Sequence, residues 1–233
     1  MPWTQYSRNL EDVMLRRALG HIPRGCFLDV GAYHPVVDNN TYALYLAGWR
    51  GIAVEPLIEF RDAWEALRPD DIHLDVAVAA RAEEKTLYVV AGEASQLSTL
   101  DAGHAENWRA RGLKIVPRPV PAITLNAILD AYLDSELHLL CLDVEGMEAQ
   151  ALAGLDLRRY RPWLMLIEAI QPVSKTPGHE EWEPGVLGAG YEFIYFDGAN
   201  RYYAAREHAG LARHFARPPD AADDFVRHEF KPG

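Results

Sequence analysis

Short apolar runs alternate with stretches of helical period along most of the chain. The runs that predict strands lie at 26–30, 52–54, 72–78, 86–90, 114–120, 138–142, 163–167, 191–196 and 201–204. Apolar residues recur at helical spacing in 10–19, 41–47, 57–67 and 124–133. Strands that alternate with helices predict an α/β fold with a mostly parallel sheet. The last two runs flank the turn sequence DGAN at 197–200, which indicates an antiparallel C-terminal hairpin.

The chain is long enough to bury one substantial core, since it has 233 residues of which 49% are hydrophobic. We predict a single domain over residues 1–233, with a helical segment at 1–24 and a helical tail at 205–233. The predicted strands 86–90 and 114–120 flank a polar segment that contains Ser95, Ser98 and Thr99. We interpret this region as an insertion into the α/β pattern.

Charge and composition argue against two kinds of partner. A formal net charge of -11 repels a polyanion, so we expect no nucleic acid partner. No apolar run approaches the roughly eighteen residues of a membrane span, and the amino terminus lacks a secretory signal pattern. We therefore expect no membrane span and a cytoplasmic location. Cys26 and Cys141 lie in apolar runs, where we expect free thiols.

Two acids that end neighbouring strands are the most informative feature of the sequence. Asp29 lies near the end of the first apolar run, two residues before Gly31, and Glu55 directly follows the next run. A glycine after a strand lets a ligand approach the backbone, and an acid after the next strand can accept both hydroxyls of a ribose. This pattern predicts a nucleoside-binding crevice.

The loop after Gly31 helps to choose among nucleoside cofactors. A GxGxxG fingerprint is absent, because only Gly31 stands in the turn and Tyr33, His34 and Pro35 fill the positions after it. A pyrophosphate would fit poorly here, since its close approach to the backbone needs more than one glycine. An adenosine ligand without phosphates, such as S-adenosylmethionine, makes no such demand. An NAD-dependent oxidoreductase stays an alternative, since an acid at position 55 also suits the ribose of NAD.

A second group of acids follows later strands. Asp143 and Glu145 come after the run at 138–142, and Glu168 ends the run at 163–167. If these carboxylates are crowded, one has a raised pKa and can take a proton from a substrate near neutral pH. Alternatively, the three acids could hold a divalent ion that acidifies a substrate hydroxyl. We favour Asp143 as the direct base, with His34 as a rival.

A late polar segment is a candidate lid. His179 and Glu180 follow the loop 171–178 and precede Pro184, which suits the first turn of a helix. We predict that His179 acts in catalysis or binds the substrate, and that Trp182 stacks on a sugar face.

Several segments together resemble the FkbM-type S-adenosylmethionine-dependent methyltransferases. The matching segments are YSRNLEDVM (6–14), FLDVGA (27–32), GWRGIAVEP (48–56), LDVEG (142–146), HEEWEP (179–184) and YFDG (195–198). The resemblance implies a class I methyltransferase fold, which is a Rossmann-like, seven-stranded and mostly parallel sheet with an antiparallel C-terminal hairpin. It also implies methyl transfer to a hydroxyl, commonly on a sugar or polyketide-derived acceptor, often in the synthesis of surface polysaccharides.

The combined pattern assigns a set of residues to S-adenosylmethionine and its product S-adenosylhomocysteine. We predict that Asp29 orients the methionine amino group, that the start of the helix at 41–47 offers amides to the carboxylate, and that Glu55 binds the ribose. The predicted cofactor residues are Tyr6, Ser7, Asn9, Asp29, Gly31, Ala32, Tyr33, Asn40, Thr41, Glu55, Pro56, Leu57, Asp75, Val76, Ala77 and Asp143. The predicted substrate residues are His34, Glu168, His179, Glu180 and Trp182.

One departure from the family pattern keeps a third reading open. Relatives frequently carry a histidine directly after the Glu-Gly of the 142–146 motif, where this chain has Met147. The acceptor here could therefore differ from that of relatives. The chain could also be a non-catalytic module that binds the cofactor and serves a glycosyltransferase partner.

Overall fold

The computed structural model describes residues 3–174 and 176–228. The strands are β1 (Trp3–Gln5), β2 (Cys26–Val30), β3 (Arg50–Val54), β4 (Ile72–Leu74), β5 (Ala77–Val78), β6 (Glu83–Val90), β7 (Ile115–Ile123), β8 (Leu139–Leu142), β9 (Leu164–Glu168), β10 (Tyr191–Phe196), β11 (Asn200–Ala205) and β12 (Phe225–Arg227). The α-helices are α1 (Glu11–Leu19), α2 (Tyr42–Leu46), α3 (Arg61–Leu67), α4 (Ala102–Ala110), α5 (Leu125–Tyr132), α6 (Glu148–Ala153) and α7 (Glu183–Gly188). Shorter 3₁₀ helices lie at Ile58–Phe60, Ser95–Leu97, Arg206–Phe215 and Ala221–Asp223.

The main sheet has the strand order β10-β11-β9-β8-β2-β3-β4. The five strands from β9 to β4 run parallel, and β11 pairs antiparallel with both β9 and β10. Strands β8 and β2 are buried in the middle of this sheet, which is why they read as continuous apolar runs. The predicted α/β fold with a mostly parallel sheet is confirmed.

Helices cover both faces of the main sheet and bury two hydrophobic clusters. Leu28 and Val30 of β2 pack on one face with α5, whereas Phe27 packs on the other face with α1. Thr124 caps α5 by accepting a hydrogen bond from the backbone amide of Ala127 (3.0 Å). The alternation of side chains along each strand therefore fixes both core faces.

The predicted strand at 72–78 is wrong as a single element. It divides at Asp75 and Val76, so that β4 ends the main sheet while β5 joins a separate three-stranded sheet of order β5-β7-β6. The break follows from pairing, because β5 forms a parallel ladder with Ala122 and Ile123 of β7 and not with β3. The segment with Ser95, Ser98 and Thr99 lies between β6 and β7 and packs over the edge of the main sheet.

The chain ends are also less helical than expected. β1 lies in the predicted helical segment and pairs in parallel with β12 of the predicted helical tail. The described part of the tail otherwise forms 3₁₀ helices, and residues 229–233 lie outside the described residues. Arg17 of α1 fastens the tail by an ion pair to Asp223 (2.5 Å). No helix among the described residues is long and apolar enough to cross a bilayer.

Candidate active site

A cavity of about 300 Å³ opens at the carboxyl ends of β2, β3, β8 and β9. Because parallel strands end at the same edge of a sheet, this is where doubly wound folds place their ligands. The predicted site residues that line it are Asn9, Asp29, Gly31, Ala32, Tyr33, Asn40, Glu55, Pro56, Leu57, Val76, Ala77, Asp143, Glu145 and Glu168. The register explains this gathering, since Asp29 lies level with Ala53 of β3 and Cys141 of β8.

Asp29 is held by a buried polar network. Its carboxylate accepts a hydrogen bond from Thr41 Oγ1 (2.7 Å), and that hydroxyl oxygen accepts one from the Arg68 guanidinium (3.1 Å). Arg68 also donates to Asn39 Oδ1 (3.0 Å) and forms an ion pair with Asp71 (2.7 Å). Burial raises the pKa of Asp29 to about 6, although Thr41 and Arg68 oppose that shift.

Glu55 is fixed by backbone amides of two loops. Its carboxylate accepts hydrogen bonds from the amide of Tyr33 (2.7 Å) and from the amide of Leu57 (2.9 Å). Burial raises the pKa of this carboxyl to about 7, against the effect of those two amides. The carboxylate thus joins the loop after β2 to the loop after β3, and it faces the same cavity as Asp29.

Gly31 lets the chain pass close to the next strand. Its φ of +76° is a conformation that favours glycine, and a Cβ at this position would overlap the carbonyl oxygen of Asp143. The glycine is therefore needed for two reasons, the turn after β2 and the close approach of the Asp143 backbone to that turn.

The turn after β8 carries a third acid that the sequence reading did not single out. Glu145 has a φ of +51° and Gly146 a φ of +94°, so the chain turns sharply before α6. Glu148, at the start of α6, accepts hydrogen bonds from the amides of Val144 (3.0 Å) and Gly146 (3.3 Å). Burial raises the pKa of Glu148 to about 7.

Glu168 is crowded by the acids of this turn. Burial, followed by the charges of Asp143, Glu145 and Glu148, raises its pKa well above the usual range. Its Oε2 atom is buried and has no hydrogen-bond partner among the described residues, while the carboxyl shares a hydrogen bond with Asp143. This crowding favours one proton shared between the Glu168 and Asp143 carboxyls near neutral pH.

The same crowding could hold a cation. One carboxylate oxygen each from Asp143, Glu148 and Glu168 lies within 4.8 Å of the other two. The set predicted from the sequence named Glu145 where this group has Glu148. Oxygen ligands of this kind suit a hard divalent ion, which would replace the shared proton.

Three predicted cofactor residues lie behind the cavity wall. Ser7 is buried and its hydroxyl donates to Asp12 (2.7 Å), while the Tyr6 ring packs edge-on against Tyr42 with centroids 4.7 Å apart. Thr41 is fully buried and contacts the site through hydrogen bonds to Asp29 and to Asn39. These residues support the loops that line the cavity.

Two further predicted residues have other partners. Asp75 forms an ion pair with Arg61 (2.6 Å) and does not line the cavity. His34 Nδ1 accepts hydrogen bonds from the amides of Val36 (3.1 Å) and Val37 (3.0 Å), and burial lowers the pKa of this imidazole. His34 thus shapes its own loop and is poorly disposed to act as the rival base.

The predicted lid residues also stand apart from the cavity. Trp182 is only 6% exposed and packs edge-on against Tyr203 with ring centroids 5.8 Å apart, so its faces are not open to a sugar. His179 lies 3.8 Å from Glu183, and Glu180 is exposed to solvent. Lys175 of the preceding loop lies outside the described residues. The roles given to His179 and Glu180 stay predictions.

The buried acids should make the protein most stable in mild acid. Asp29, Glu55 and Glu148 keep their protons in the folded state to a higher pH than in the unfolded state, so stability falls as pH rises from about 4 to about 7. Each unit of pKa difference corresponds to about 1.4 kcal/mol. We expect urea unfolding to give a free energy at pH 5 that exceeds the pH 8 value by at least about 2 kcal/mol.

A matched pair of variants checks the origin of this effect. Glu148→Gln keeps an acceptor for the amides of Val144 and Gly146 but removes one titrating group, so the decline with pH should become shallower. Glu180→Gln changes an exposed acid and should leave the slope as it is. An equal slope in all three proteins would contradict the assignment.

The mostly parallel α/β sheet, with acids at its strand ends, is consistent with a methyltransferase fold. The family model described as the Methyltransferase FkbM domain matches residues 29–193, which is more than two thirds of the chain. The chain belongs to this family, as the sequence motifs suggested. No curated protein matches the chain.

Proposed function

We propose that the protein is an S-adenosylmethionine-dependent O-methyltransferase that acts on a sugar hydroxyl of a surface glycan or another glycosylated metabolite. The observation that carries this proposal is the position of Asp29 and Glu55, two buried acids at neighbouring strand ends that face one cavity with Asp143. In this proposal the seven strands of the main sheet form the Rossmann-like sheet of a class I methyltransferase.

The residues of the cavity fit such a cofactor. Asp29 offers a carboxylate to an amino group, and Glu55 offers one to the two hydroxyls of a ribose. Pro56 and Leu57 extend the wall past Glu55 with apolar surface that suits a base. The close passage at Gly31 leaves room for a ligand that lies across the strand ends, without the several glycines that a pyrophosphate would need.

In this proposal Asp143 acts as the general base. When bound, the cofactor supplies an electrophilic methyl group on sulfur. The Asp143 carboxylate accepts the proton of the acceptor hydroxyl as its oxygen attacks, while Glu168, whose pKa is raised by burial and by the nearby acids, stays uncharged beside it. Positioning supplies a large share of the rate, because displacement at the methyl carbon needs the hydroxyl oxygen in line at about 3 Å.

The acceptor end of the cavity favours a polyol. Asn9 and Asn200 line it beside Glu11, and Asn200 Nδ2 donates to the Glu11 carboxylate (3.2 Å). Amide and carboxylate groups of this kind can both donate to and accept from sugar hydroxyls. The alternating polar groups therefore suit a carbohydrate better than an apolar acceptor.

Binding of the product tests the proposal directly. We expect isothermal calorimetry with S-adenosylhomocysteine to show one site, and Glu55→Gln to weaken binding by about tenfold, since a charge-assisted hydrogen bond to the ribose is lost. Glu59→Gln alters an exposed acid a few residues away and should bind like the wild type.

Fluorescence titration with NADH separates this reading from an oxidoreductase, and we expect no saturable binding. Absence of S-adenosylhomocysteine binding at millimolar concentration by the folded protein would sink the proposal. Detectable methyl transfer to a glycan acceptor would exclude a module that only binds the cofactor for a glycosyltransferase partner.

A further inference from the structure

A segment of the insertion covers the cavity at the Glu55 side. Residues 95–100, which we call the roof segment, line the cavity and begin with the 3₁₀ helix Ser95–Leu97. Ser95 Oγ lies within hydrogen-bond distance of the Tyr33 hydroxyl (3.0 Å). At the other end, Thr99 Oγ1 donates to the carbonyl of Glu145 (2.9 Å). The roof segment thus spans the cavity from the loop after β2 to the turn after β8.

The roof segment is also fastened to its own sheet. Thr99 exchanges two backbone hydrogen bonds with Tyr88 of β6 (2.9 and 3.3 Å), and Ser98 Oγ accepts one from the amide of Val90 (3.0 Å). A segment held at so many points presents its remaining side chains in fixed directions. Gln96 lies between these attachments, and its side-chain oxygen accepts no hydrogen bond from the described residues.

The cavity beneath this part of the roof is mostly apolar. Leu57, Ala77 and Leu87 belong to one hydrophobic cluster, and Tyr33 and Leu100 pack against it. All five residues line the cavity. An apolar space with few polar groups is a suitable setting for a heterocyclic base.

One polar atom in this setting lacks a partner. Gln96 lines the cavity, and its Oε1 is buried without a hydrogen-bond partner among the described residues. An unpaired buried acceptor is costly, so a ligand that donates to it gains both the hydrogen bond and the relief of that cost. If Glu55 binds the ribose, the base lies beyond it beneath the roof segment. The group of an adenine base that can donate to Gln96 Oε1 is its exocyclic amino group.

We propose that Gln96 is a specificity-determining residue that accepts a hydrogen bond from the 6-amino group of the cofactor's adenine, so that the insertion selects adenine. This inference rests on the proposed function, because it takes the cavity to hold an adenosine cofactor. It gives the role of base recognition to the roof segment, whereas Asp75, one of the predicted cofactor residues, pairs with Arg61.

The test compares two ligands that differ only at C6 of the base. Calorimetry uses S-adenosylhomocysteine and its 6-deamino analogue, in which hydrogen replaces the amino group. We expect the wild type to prefer the amino compound by about tenfold. Gln96→Leu should lose that preference by weakening the amino compound alone, and Gln96→Glu, which keeps an acceptor oxygen, should retain it.

The remaining outcomes are separable. If Gln96→Leu weakens both ligands equally, Gln96 only supports the roof segment and the inference is overturned, as it is if the wild type does not distinguish the ligands. If the wild type binds neither ligand, the proposed function itself fails. Glu93→Gln, an exposed change just before the roof segment, serves as the control and should leave both affinities unchanged.

Discussion

Replacing Asp143 by asparagine is expected to lower turnover by about a hundredfold or more while leaving the affinity for S-adenosylhomocysteine nearly intact. Asparagine keeps the size of the side chain but cannot take up the acceptor proton. The substitution does not change the backbone of residue 143, which approaches Gly31. The loop after β2 therefore keeps its position. Single-turnover rates and calorimetry on the same preparation measure the two effects separately.

A second acid provides the matched control for this experiment. Asp38 lies at the cavity mouth, pairs with Arg8 (2.9 Å) and has a φ of +53°, which asparagine also tolerates. Asp38→Asn should keep turnover within a few fold of the wild type. Turnover close to wild type in Asp143→Asn would remove Asp143 as the base.

Chelation distinguishes a proton-sharing role from a cation-binding role for the carboxylates of Asp143, Glu148 and Glu168. If Asp143, Glu148 and Glu168 act as a proton-sharing group, activity should survive dialysis against a chelator. Loss of activity on chelation, restored by one divalent metal, would assign the same three carboxylates to a cation. In that case Glu148→Gln should weaken metal rescue, since it removes one ligand charge.

The parts of the site that follow strand ends could be read from the sequence. Asp29, Glu55, Asp143 and Glu168 each lie at or next to the carboxyl end of a buried apolar run, and a parallel sheet brings such positions to one edge. Periodicity and a single topological rule are enough for this step. It needs no knowledge of how loops pack.

The parts that depend on long-range packing could not be read in this way. Gln96 reaches the cavity only because β6 and β7 pair as a separate sheet, and the strand predicted at 72–78 divides for the same reason. The sequence predicts that Trp182 stacks on a sugar face, yet its ring packs against Tyr203 of β11. Glu148 carried one local signal, since it is a third acid within six residues at the start of a helix.

Arg68 is expected to be the most sensitive buried position for stability. Arg68→Met keeps the length and apolar stem of the side chain but leaves Asp71 without its ion-pair partner, and both side chains are fully buried. Removing one member of a buried pair costs about 3–5 kcal/mol. Urea unfolding should therefore show a much lower midpoint with a similar slope.

Two further variants show whether the loss of stability in Arg68→Met comes from the unpaired charge of Asp71. Arg50→Met breaks an ion pair with Asp70 in which both side chains are largely exposed, and it should cost less than about 1 kcal/mol. Adding Asp71→Asn to Arg68→Met removes the unpaired charge and should recover part of the stability. A double variant that is as unstable as the sum of the single variants would contradict this account.

Arg68→Met should also affect cofactor binding, through the hydroxyl of Thr41. Arg68 donates to Thr41 Oγ1 from two nitrogens (3.1 Å each), and Thr41 donates to Asp29. Without the guanidinium, Thr41 can turn away and Asp29 loses both its hydrogen bond and a nearby positive charge, which raises its pKa further. We therefore expect Arg68→Met to weaken S-adenosylhomocysteine binding near neutral pH and to leave a smaller deficit at pH 8, where Asp29 is ionised again.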